Sequence, residues 1–135
     1  MKYLTDYTEK EQTRLFDKHN VFFAFSTEQF NEQTKDKDKS LKYVSRGAGM
    51  YQGYKDAKEL KEFDKEWNKM LENSIKQDLK ENGKEKIIER ELNNHECYYT
   101  GEIDQSVIDS LSDYNISKKE IIDQFNKNID NYEFF

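Results

Sequence analysis

Between about residues 56 and 81 the chain places Leu60, Phe63, Trp67, Met70, Leu71, Ser74, Ile75, Asp78 and Leu79 at three- and four-residue steps. That period gathers them on one face of an α-helix and leaves Lys and Glu on the rest. A helix apolar along one side must lay that side on other elements, so a long central helix of about 56–81 organises the fold. Asn82-Gly83 then supplies a left-handed stop. Ile87, Ile88 and Leu92 mark a second helix to about Asn93.

The remainder alternates short helices with short strands. Thr8-x-x-Glu11 has the form of a capping box and opens a helix carrying Leu15 and Phe16, with His19-Asn20 as its stop. Val21-Phe22-Phe23-Ala24-Phe25 is apolar and too short for a helix, so it reads as a buried strand. Ser26-x-x-Gln29 caps a short helix through Phe30, and Lys35 to Lys39, which alternates Lys with Asp, is a solvated loop. Leu41 to Val44 and Met50 to Tyr54 are two strands around Arg46-Gly47-Ala48-Gly49. Further on, Cys97-Tyr98-Tyr99 reads as a strand closed by Thr100-Gly101. Gln105 to Leu111 reads as a helix, and Ser117-x-x-Glu120 caps a last helix using Ile121, Ile122, Phe125 and Ile129. The expected fold class is α+β, several helices packed on a small antiparallel sheet in a single domain of residues 1–135. A mean hydropathy of −1.17 is low for such a domain, but 14% aromatic residues provide a core that a disordered acidic chain lacks. No apolar run approaches a membrane span and the start has no signal-peptide core, so a soluble, cytoplasmic protein is expected.

Charge is distributed unevenly. The chain carries −6 overall, which argues against a generally basic nucleic-acid binder. Residues 1–40 hold 7 basic and 8 acidic groups, residues 41–90 hold 12 and 10, and residues 91–135 hold 3 and 10. More than the whole net charge therefore sits in the last third. Glu102, Asp104, Asp109, Asp113, Glu120, Asp123, Asp130 and Glu133 have only Lys118, Lys119 and Lys127 nearby. Asp109 and Asp113 place like charges one helical turn apart, which opposes folding. These eight residues are the candidate partner-binding set; the alternative is a solubilising face. Along the long helix, Lys and Glu alternate at pairing distance, as in Glu62 with Lys65, so no nucleic-acid stripe is expected there.

Three other constellations bear on chemistry. Gly47-Ala48-Gly49 with Gly53 lacks the spacing of a dinucleotide fingerprint and has no Gly-Lys-Ser/Thr, so a tight turn is the reading. His95-Glu96-Cys97 sets imidazole, carboxylate and thiol side by side. On a strand, however, His95 and Cys97 would face away from Glu96, and His19 is the only other histidine. A buried Cys97 acting as a small apolar residue is the simpler reading, and no cofactor or metal is expected. Tyr98-Tyr99, Tyr132 and Phe134-Phe135 are either core or interface anchors.

Leu15-Phe16-Asp17-Lys18 with Val21-Phe22-Phe23-Ala24-Phe25-Ser26, Gly47-Ala48-Gly49-Met50, Asp78-Leu79-Lys80-Glu81-Asn82-Gly83-Lys84-Glu85-Lys86-Ile87-Ile88 and His95-Glu96-Cys97-Tyr98-Tyr99-Thr100-Gly101-Glu102-Ile103 together resemble a family of small uncharacterised proteins from phages and mobile elements of low-GC bacteria. The chain departs from them at Tyr51-Gln52-Gly53-Tyr54. The resemblance brings no catalytic motif. Small, acidic, cysteine-poor proteins of this type resemble inhibitors of host defence, including anti-CRISPR and antirestriction proteins. It implies a non-enzymatic inhibitor of a host nuclease or CRISPR effector, bound at a basic groove without direct contact to nucleic acid or membrane. The alternatives are a small metal- or thiol-dependent enzyme around His95 and Cys97, or a homo-oligomeric structural or regulatory phage protein.

Overall fold

In a computed structural model, which describes residues 2–130, the chain is α+β. The element order is α1 (Leu4–Lys18), β1 (Val21–Phe23), α2 (Thr27–Thr34), β2 (Lys42–Gly47), β3 (Met50–Tyr54), α3 (Lys58–Asn94), α4 (Cys97–Thr100), α5 (Gln105–Ser112) and α6 (Lys118–Ile129). The strands form one antiparallel sheet in the order β1-β3-β2. No helix among the described residues is long and apolar enough to cross a membrane. Two compact units are present: a sheet unit, Thr8–Glu72, and a helical unit made of residues 2–7 with 73–130.

In the sheet unit the pleat separates two faces. Val21 and Gln52, paired across β1 and β3, lie on one face with Met50, and this face carries the core of Leu15, Val21, Phe63 and Met70. Phe22 pairs with Tyr51 on the other face, where Phe30 of α2 closes an aromatic cluster with Tyr43. The turn between β2 and β3 has positive φ at Gly47, Ala48 and Gly49. Glycine is favoured at the third of these by its φ of 81°, which side chains rarely adopt, and a Cβ there would stand 2.2 Å from the Phe25 ring and displace it. The glycine stretch is thus a hairpin turn that leads into a strand.

Two local expectations, at the start of α1 and at Cys97, are corrected, and the stop expected within the long helix is found in place. α1 begins at Leu4, four residues before the Thr8-x-x-Glu11 pattern; the Asp6 carboxylate accepts the Tyr3 N–H at 2.7 Å, and Thr8 lies buried inside the helix. α3 extends to Asn94 but breaks at Gly83, whose φ of 77° and ψ of 159° only glycine adopts readily, so the stop lies where Asn82-Gly83 places it. Twelve residues of straight helix would span about 18 Å, yet the Asp78 and Arg90 side chains meet at 3.0 Å, so the two arms fold toward each other. Finally, Cys97–Thr100 is a helical turn and not a strand. Left-handed residues bracket it, Glu96 at φ 55° and Gly101 at φ 76°, and it delivers Tyr98 to stack on Phe125 at 5.2 Å. The helical core is largely aliphatic, with Ile87, Leu92, Val107, Leu111 and Ile121 fully buried.

Candidate functional site

The acidic candidates lie on the helical unit, and the fold sorts them by role. Asp104 is the N-cap of α5: its Oδ1 accepts the Ser106 N–H at 3.0 Å and the Ser106 hydroxyl at 2.8 Å. Those two donors, the backbone N–H first, hold its carboxyl below the usual range. Glu120 completes the capping box of α6, accepting the Ser117 N–H at 2.8 Å, and also meets Lys84 Nζ at 3.2 Å. The same donors, Ser117 first, lower its carboxyl. Both carboxylates are therefore occupied by helix starts.

Asp109 accepts from Gln105 Nε2 at 3.0 Å and remains exposed. Asp113 follows α5 as its C-cap, still in helical conformation, so its one-turn spacing from Asp109 persists. The side chains of Glu102, Asp113, Asp123 and Asp130 are exposed and make no hydrogen bond or ion pair among the described residues. Glu133 lies outside the described residues, as do Tyr132, Phe134 and Phe135. On α6 the acids alternate with Lys118, Lys119 and Lys127. Residues 91–117 instead carry six carboxylates and no Lys or Arg. The concentrated negative stretch is thus α5 and its approaches, where Glu102, Asp109 and Asp113 are exposed and tied to no helix start.

The side chains of His95, Glu96 and Cys97 have different surroundings. His95 Nδ1 is 3.2 Å from Ser106 Oγ and its Nε2 is 4.0 Å from Glu91 Oε2. Glu96 is exposed in a left-handed turn, while Cys97 is fully buried beside Ile87 and Leu92. His19, in the sheet unit, is paired with Glu66 at 2.5 Å. Among the described residues no three His, Cys, Asp or Glu side chains stand close enough to hold a metal.

A buried polar cluster escaped the sequence reading. Asp78 and Arg90 meet through two parallel contacts of 3.0 Å, the Tyr114 hydroxyl donates to Asp78 at 2.5 Å, and the Asn82 amide donates to it at 2.7 Å. Arg90 also donates to the Lys2 carbonyl at 2.9 Å and from Nε to Glu91 at 3.0 Å. Burial pushes the Asp78 carboxyl up, but the Arg90 fork, then Tyr114 and Asn82, outweigh it and hold it below its ordinary value. Burial, reinforced by the adjacent carboxylate, drives the Tyr114 hydroxyl up. The available signal was Asp78 itself, an acid in register with the apolar stripe of the long helix. The cluster ties residues 2–3, both arms of α3 and the end of α5 together, and so fixes the scaffold that carries the acidic surface.

No curated protein and no solved structure matches the chain. A family model, described as a family of unknown function, matches residues 4–112, which takes in α1 to α5 and ends just before Asp113. The chain belongs to this family, DUF7659.

Proposed function

We propose that this protein is a non-enzymatic binding protein whose acidic surface occupies a Lys/Arg-rich groove of a partner protein, the kind of groove that grips a nucleic-acid backbone. The partner in this reading is a host defence nuclease, a CRISPR effector being the leading case. The setting is the cytoplasm of a bacterium in which a phage or mobile element makes the inhibitor. One observation carries the reading: residues 91–117 expose Glu102, Asp109 and Asp113 on a stretch of six carboxylates without a single Lys or Arg. Such a surface repels nucleic acid and is drawn to the cationic channel that nucleic acid would fill, so inhibition is competitive. The resemblance to phage proteins supports the choice of partner.

Capture of partners from bacterial lysate on the immobilised chain tests this. A nuclease is expected to bind at low salt and elute as salt rises. Glu102→Lys/Asp109→Lys/Asp113→Lys is expected to lose that capture while its thermal transition stays within a few degrees of the parent, since all three side chains are exposed. Unchanged capture by the triple variant overturns the reading.

A further inference from the structure

A cleft of about 510 Å³ opens on the helical unit, with Tyr3, Glu91, Asn94, Ser110, Asp113 and Tyr114 among its walls. Its size lies within the range of ligand-binding clefts, roughly 300–1,000 Å³. Two carboxylates line it and no Lys or Arg does.

The backbone reinforces that sign. Ser110 and Asp113 bring the C-terminal end of α5 to the cleft, and Glu91 and Asn94 bring the C-terminal end of α3. Neither helix has a basic residue in its last turn, so no side-chain cation there offsets the partial negative charge of either end, although backbone N–H groups cap the Glu91, Asn93, Leu111 and Ser112 carbonyls. The N-terminus of α1 also reaches the rim, but its positive end is met by Asp6, which accepts the Tyr3 N–H. Behind the wall, Arg90 is matched by Asp78 and by one oxygen of Glu91, so it does not neutralise the cleft. The carboxylate of Asp113 has no partner among the described residues. Tyr3 stands at the rim 44% exposed, with its ring packed against the Arg90 guanidinium at 5.8 Å.

We infer that this cleft receives one arginine side chain of the basic partner. The inference rests on the proposed function and deepens it by naming a contact. Two separated carboxylates, the negative ends of two helices and an aromatic rim suit a planar, weakly hydrated fork that donates in several directions while lying on a ring. An ammonium offers three donors from one strongly hydrated point and stacks less well.

Backbone amide NMR of the full chain, titrated with N-acetyl-arginine amide, reads the cleft directly. Saturable shifts are expected at Asn94, Ser110, Leu111 and Asp113, with half-saturation in the millimolar range appropriate to a single side chain. N-acetyl-citrulline amide, which keeps the shape and lacks the charge, is expected to produce none, and N-acetyl-lysine amide is expected to bind more weakly. Asp113→Asn should weaken arginine binding about two- to fivefold, the range for an ion pair at a solvent-accessible site, while Asp36→Asn in the sheet unit should not. Equal shifts with citrulline, tighter binding of lysine, or no saturable shift at the cleft overturns the inference. Absence of arginine binding with salt-sensitive partner capture intact overturns the cleft alone. Arginine binding in a Glu102→Lys/Asp109→Lys chain that captures its partner undiminished supports the cleft and removes the proposed function.

Discussion

The two units hold themselves together by different chemistry. In the sheet unit, aromatic rings do most of the packing: Phe16 stacks on Trp67 at 5.7 Å and nearly parallel, and Phe63 bridges Trp67 to His19. Its notable charge contact lies at the periphery, where Glu66 bonds Lys18 and His19. In the helical unit the core is aliphatic and the defining polar contact is inside it, Asp78 with Arg90 and Tyr114. Ring stacking tolerates sliding and tilts, whereas a bidentate ion pair sealed from water holds two helix arms in one register. Rigid geometry is thus found in the unit that presents the acidic surface, where clustered carboxylates oppose folding and something must counter them.

The largest effect expected from breaking this difference is at Asp78. Asp78→Ala strands the Arg90 guanidinium in the core, and losing one partner of a buried pair typically costs about 3–5 kcal/mol. Denaturant unfolding followed by far-UV circular dichroism is expected to show a loss of that size. Trp67 fluorescence reads the sheet unit, so a smaller fall in its midpoint would mark the damage as local to residues 73–130. Adding Arg90→Met should recover part of the loss, because no lone charge then remains inside. A loss below about 1 kcal/mol for Asp78→Ala, the level of an exposed pair, would mean that the pair is not a fixed part of the scaffold.

These contacts differ in how visible they are from sequence. The amphipathic stripe, the Gly83 stop, the β2–β3 turn and the Ser26 and Ser117 caps are set by residues a few positions apart, and the structure has all of them where the local pattern places them. Cys97-Tyr98-Tyr99 misled because three apolar residues carry no period, and the choice of a helical turn is made by Tyr98 seeking Phe125, 27 positions away. α1 misled because Thr8-x-x-Glu11 fits inside a helix as well as at its start. At the acidic surface, the charge asymmetry was legible by counting. That Glu120 is tied to a helix start was legible too, from Ser117-x-x-Glu120, and this separates it from Asp113. The cleft was not legible, since Tyr3 and Asp113 meet there only through the tertiary fold.

A second, smaller effect probes the sheet unit by pH. Lys18 first and His19 second hold the Glu66 carboxyl at about 2, against an ordinary 4.5. A carboxyl depressed by folding adds stability above its unfolded value and loses it as pH falls through its folded value. The Glu66 contribution is therefore complete above about 4.5 and is lost on the way down to about 2. Thermal melts monitored by Trp67 fluorescence, which sits one residue from Glu66, are expected to fall steeply across that window. In Glu66→Gln the fall should be shallower and the neutral-pH midpoint lower. An unchanged slope would assign the acid sensitivity of this unit to other carboxylates.

The smallest expected effect compares two serine caps. Ser117 accepts the Glu120 N–H at 3.2 Å and starts α6, whose Ile121 and Phe125 are core residues. Ser26 accepts the Gln29 N–H at 3.1 Å and starts α2, which has no buried residue. Removing either cap frees a backbone donor at a cost of about 0.5–2 kcal/mol. For Ser117→Ala that cost is transmitted to the whole unit, because α6 cannot fray without exposing Phe125, and the global unfolding midpoint should drop. For Ser26→Ala it should show only as faster amide exchange over α2, with the midpoint unchanged, since α2 opens without uncovering any buried residue of its own. A global loss in Ser26→Ala as large as that in Ser117→Ala would show that Phe30, through its contacts with Phe22, Tyr43 and Tyr51, binds α2 into the sheet's cooperative core. In that case the aromatic packing of the sheet unit would be as exacting as the buried ion pair of the helical one.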